Sequence, residues 1–158
     1  MKMKVLMFLL ISHIAIGLFG FMLGIYTLPI ISAPPSPQTS ALQPMSQNAL
    51  YSAEFVRELQ DSDSLHWGEG KVSISNNNVS FIGELAPGPA YQLYFSPTFV
   101  ETEADFQRLK ANMVSVGDIR TFNNFIVPLH NEIDLEQYNT VIVWCESFEQ
   151  FITAAQYR

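Results

Sequence analysis

Hydrophobic and polar positions divide the chain into three regimes. From Val5 to Ile31 the run is apolar without a charged residue. As a helix it would reach roughly 40 Å at ~1.5 Å per residue, more than the ~30 Å hydrocarbon thickness of a bilayer. Residues 33–65 lose that pattern. Ser32–Gln47 (SAPPSPQTSALQPMSQ) carries four of the nine prolines and no charge, which predicts an extended, semi-rigid spacer lifting the rest off the bilayer. Leu50, Phe55 and Leu59 predict a short helix within Ala49–Gln60, on irregular spacing.

From Trp67 the period becomes two. In KVSIS, Val72 and Ile74 alternate with polar neighbours; Asn76-Asn77-Asn78 supplies turn chemistry and NVSFIGELA returns as a partner strand. Pro87-Gly88-Pro89 makes the next turn, followed by AYQLYFS, so these three strands read as an antiparallel meander. ETEADFQRLKANM breaks the rhythm with a helix: Thr102 can cap it with Asp105 at the third position, and Phe106, Leu109 and Met113 share one face. MVSVGDIR, NFIVPL, the VIVWC block and FITAAQY complete about seven strands and one short helix. The fold class is all-β, an antiparallel β-sandwich over residues 66–158, behind an amino-terminal transmembrane anchor (1–32) and a Pro-rich linker (33–65).

Charge sharpens the picture. No acidic residue precedes Glu54, and beyond the apolar run six Lys and Arg face fifteen Asp and Glu, a net charge of −9. Such a field repels phosphate, so a nucleic-acid partner is excluded. Lys2 and Lys4 before the apolar run hold the amino terminus in the cytoplasm, which in a bacterium places the carboxy-terminal domain in the periplasm, on the inner membrane. A retained single-pass anchor over residues 5–31 is favoured over a cleaved signal peptide. The run exceeds the usual 7–15 residues, and the candidate site Ile31-Ser32-Ala33 has a large residue where a small one is wanted and is followed by Pro34. Gly20 and Gly24, extended by Gly17, could form a helix-dimer face, against the plainer reading that glycine is common in membrane helices. His13 reads as a neutral residue tolerated near the cytoplasmic side.

The only cysteine, Cys145, lies in the most apolar run of the domain. Alternation puts Val141, Val143 and Cys145 on one face and Ile142, Trp144 and Glu146 on the other. Two readings stay open: a small apolar filler of the core, or a redox-competent thiol, which would need a nearby cation or helix amino terminus to lower its pKa. His66 and His130 have no metal-ligand spacing to Cys145 or to each other, and the two-cysteine haem-attachment motif is absent; axial thiolate ligation of a haem stays open. Glu132, Asp134 and Glu136 read as a solvated acidic loop. Neither a nucleophile–base signature nor a phosphate-cradling loop is present, so an enzyme acting on a metabolite ranks last.

Four blocks, GEGKVSI, GPAYQLYFSP, DFQRLKANMVSVGDIRTFNNFIVPL and YNTVIVWCESFEQFITAA, resemble in order and spacing the DM-thirteen domain, a domain assigned to electron transfer that occurs beside DOMON domains in surface proteins and behind a membrane helix in many bacteria. The resemblance covers about Trp67–Arg158 and implies a β-sandwich. It also implies that Cys145 is the family's hallmark cysteine, acting as a bare thiol or as ligand to a redox group such as haem. In one departure, the family's Gly-Asn block before the sixth strand appears here as TFNNF, without its glycine. The function expected is electron transfer or thiol exchange with a periplasmic protein partner through Cys145. The alternative is a structural adaptor that binds through its acidic surface.

Overall fold

The structure, a computed structural model, describes residues 2–129 and 133–158. His130 and Glu132 lie outside the described residues. Helix α1, Lys2–Ser32, is long and apolar enough to cross a membrane. Its hydroxyls turn back on the helix: Thr27 donates to the Leu23 carbonyl at 2.8 Å and Ser32 to that of Leu28 at 2.7 Å. His13 meets the Leu9 carbonyl through Nδ1 at 2.7 Å. Polar groups satisfied within the helix are what an apolar solvent demands.

Among the described residues eight strands follow, in two antiparallel sheets of four. The first has the order β1 (Tyr51–Phe55), β2 (Gly68–Ile74), β3 (Asn78–Leu85), β6 (Phe125–Pro128). The second has the order β5 (Val114–Ile119), β4 (Tyr91–Ser96), β7 (Thr140–Cys145), β8 (Gln150–Gln156). One core joins them in a sandwich-like arrangement. Phe55, Val72 and Phe81 come from the first sheet, and Leu93, Phe95, Val141 and Ile152 from the second. A smaller cluster lies on the other face of the second sheet, where helix α3 (Glu103–Leu109) lays Phe106 flat on Trp144, centroids 3.9 Å apart and planes 9° from parallel. The Thr102 hydroxyl accepts from the Asp105 amide at 3.1 Å, the cap that the sequence predicts. Strand β7 is therefore buried on both faces, which is why its sequence is almost continuously apolar.

Three expectations are corrected. Ala49–Gln60 contains strand β1 rather than a helix: Tyr51, Ala53 and Phe55 alternate inward, and pairing with β2 satisfies a backbone that an isolated short helix would leave marginal. This is the eighth strand. The linker is not a free spacer. Helix α2 (Thr39–Gln47) lies against β2 and β3, its Leu42 fully buried (0% exposed), over the small Ser73 and Ser80 on the sheet's outer face. Ser73 donates to Ser46 at 3.0 Å. The three strands around the first turns are not one meander. β2 and β3 form a hairpin, but Pro87-Gly88-Pro89 carries the chain across to the second sheet, where β4 sits between β5 and β7. The TFNNF block, the departure from the family pattern, turns without glycine, and neither asparagine there takes a positive φ. Asn124 bridges instead, accepting from the Gly83 amide at 3.2 Å and donating to the Pro37 carbonyl at 3.0 Å.

Candidate functional site

Cys145 ends β7 with its side chain in the main core beside Val141 and Val143, as alternation predicts. It is 3% exposed, and its thiol donates to the Pro89 carbonyl at 3.1 Å. Tyr91, paired with Cys145 across the sheet, donates to the Ala86 carbonyl at 2.8 Å and pins the other side of the Pro87–Ala90 turn. A Cβ at Gly88 would stand 2.5 Å from the Tyr91 hydroxyl, so a larger residue there would push that ring from its place against Ala86.

Two non-glycine residues with left-handed backbone flank the sulfur: Ala90 (φ 51°) in that turn and Glu149 (φ 53°) in the β7–β8 turn. The two turns are tied by the Glu146 amide donating to the Ala90 carbonyl at 3.0 Å. Such backbone costs of order 1–3 kcal/mol per residue and persists only where its surroundings enforce it.

The electrostatics oppose a ready thiolate. Burial pushes the Cys145 thiol above its ordinary value and the Glu146 carboxylate adds to this; the backbone amides of Ser147 and Phe148 pull the other way without prevailing. Glu146 itself points to the α3 side of the sheet, accepting from the Tyr94 hydroxyl and from Lys110 Nζ at 3.0 Å. Burial raises its pKa, but these two partners outweigh it and leave it below the usual carboxylate range.

The cysteine also borders a hollow of about 230 Å³, with Tyr91, His66, Leu65 and Phe148 in its wall, closed on one side by Met22, Ile25 and Tyr26 of α1. A larger cleft of about 600 Å³ lies on the far side of Pro89, between Pro29 and Pro34 of the chain's entry and Arg120, Phe122 and Glu146 of the domain. His66 thus lines the same hollow as the cysteine although no sequence spacing connects them. Its Nδ1 faces Asp63 Oδ2 at 3.0 Å, and Asp63 also accepts the Leu65 and His66 amides at 2.6 and 2.8 Å. Among the described residues, no three His, Cys, Asp or Glu side chains converge as a metal site would require.

The surroundings do not fit a haem on Cys145. Axial thiolate ligation needs a deprotonated sulfur, whereas this thiol is buried and bonded through its proton to a carbonyl. The hollow is also smaller than the roughly 300–1,000 Å³ of ordinary small-ligand pockets. Sequence reasoning missed Pro89, Leu65 and Phe148, whose part in the site comes from loop placement alone.

No curated protein and no solved structure matches the chain. A family model described as electron transfer DM13 does match, over residues 56–157, and it takes in every strand but β1, both turns around Cys145 and the cysteine itself; by that match the chain belongs to the DM13 electron-transfer family.

Proposed function

We propose that this protein is a membrane-anchored electron-transfer domain that works by thiol exchange at Cys145 with a disulfide of a periplasmic protein partner. The observation that carries this reading is the position of the sulfur. It is the cysteine of a DM13 domain, and it sits where core meets hollow, under a two-residue amide pair. In the exchange, Cys145 gives its proton to solvent and its sulfur attacks one sulfur of the partner disulfide. The partner's S–S bond breaks, a mixed disulfide to Cys145 forms, and the departing partner sulfur takes up a proton. The Ser147 and Phe148 amides favour the thiolate at the moment it forms, while burial keeps the resting sulfur protonated. Exchange is therefore slow at rest. Lys2 and Lys4 support a cytoplasmic amino terminus and a periplasmic domain.

The Pro89 hydrogen bond and the raised pKa favour a second reading, an adaptor in which Cys145 only fills the core. Incubating the full chain in detergent with oxidised glutathione, native and then denatured, separates the two. A mixed disulfide formed by the native chain and reversed by dithiothreitol supports thiol exchange. Modification confined to the denatured chain removes the redox reading and leaves the adaptor.

A further inference from the structure

We propose that the Cys145 end of the domain rests in the outer leaflet of the bilayer that α1 crosses, with Leu65 and Phe148 as its two membrane-contacting tips. This inference rests on the membrane-anchored reading above. Leu65 and Phe148 come from separate loops, and large apolar side chains are seldom left in water together without a partner. Yet they are 56% and 50% exposed and border the same hollow.

The third wall of that hollow is α1 itself, through Met22, Ile25 and Tyr26. These helix residues fix the depth. Counting from Lys4, which stays at the inner boundary, Tyr26 lies about 33 Å along the helix and Met22 about 27 Å, against ~30 Å of hydrocarbon. Tyr26 therefore falls at the outer interface, where tyrosine is enriched, and Met22 just inside the acyl region. Side chains that share a hollow with Met22 stand at the same depth and meet the same solvent. The occupant of the hollow is then lipid, since one of its walls is a lipid-facing helix. The domain's net charge of −9 disfavours an anionic surface and selects a zwitterionic leaflet.

The test uses the full chain in phosphatidylcholine vesicles, with single cysteines placed in a Cys145→Ala background and labelled with a nitrobenzoxadiazole dye. Leu65→Cys and Phe148→Cys report the tips, Phe21→Cys the helix, and Asn76→Cys the opposite end of the sandwich, roughly 20 Å away along β2. Doxyl-lipid quenching and a blue shift at 65 and 148 comparable to those at 21, with neither at 76, are the expected result. Quenching at 21 but not at 65 or 148 overturns the inference while leaving the anchor intact. Absence of quenching at 21 removes the anchor and the inference together. Should the Cys145→Ala background fail to fold, Phe148→Trp in the chain that keeps Cys145 reads the same depth: added tryptophan emission quenched by brominated lipid supports the placement, and unquenched emission overturns it.

Discussion

At the scale of single residues, the sulfur of Cys145 and the turns around it decide what the protein can do. Burial holds the thiol protonated at neutral pH, so native alkylation of the full chain should rise steeply with pH, with a midpoint above the ~8.5 of a free cysteine. Rates measured from pH 7 to 10.5 check this, and a midpoint below 8 would contradict the hydrogen bond to Pro89. Glu149 carries left-handed backbone that costs an L-residue about 1–2 kcal/mol, against about 0.5–1 kcal/mol of extra chain entropy lost by glycine. Glu149→Gly should therefore stabilise the domain by up to roughly 1.5 kcal/mol, read from denaturant unfolding of the detergent-solubilised chain. The inward direction of Cys145 was legible in VIVWC, because period-two alternation in a strand fixes the face of each side chain. Its acceptor, Pro89, and its neighbours His66 and Phe148 were not, since loops at distant positions converge only through tertiary structure.

Among the elements, α2 and β1 show where local patterns mislead. Pro44 and the prolines before it make TSALQPMSQ read as a linker, and nothing in a nine-residue stretch reveals that Leu42 has a sheet to cover. In YSAEF the alternation is present, but the Arg57, Glu58, Leu59 and Gln60 that follow favour a helix on propensity. The decisive fact, pairing with β2 from Tyr51↔Ile74 to Phe55↔Gly70, is non-local. Where both levels agreed, in α3 and the β2–β3 hairpin, the sequence reading held. Leu42→Ala should cost about 2–5 kcal/mol, as truncation of a fully buried leucine does. Hydrogen–deuterium exchange should then accelerate across residues 39–47 while β7 and β8 stay protected. Equal acceleration everywhere would mean that α2 is no separate cover but part of one cooperative unit.

Across the whole molecule, four groups make stability depend on alkaline pH with one sign. Burial raises the pKa of Cys145, Tyr91, Tyr94 and Tyr157, so the unfolded chain loses these protons first. Their contribution is complete below the ordinary values, about 8.5 for cysteine and 10 for tyrosine, and is lost as pH rises toward the folded ones. The melting temperature of the full chain should hold near pH 7–8 and fall progressively above 9; a flat profile to pH 10.5 would show that these groups ionise freely in the fold. The packed linker has a mechanical consequence. Between the end of α1 and the start of α2 lie only residues 33–38, three of them Pro34, Pro35 and Pro37, and Asn124 grips Pro37 and Thr39 at the far side. The sandwich is thus joined to α1 by a short, stiff segment. On the membrane-anchored reading proposed above, such a joint would make the sandwich follow the helix, so that any change in the lean of α1 would reorient the Cys145 end by the same angle.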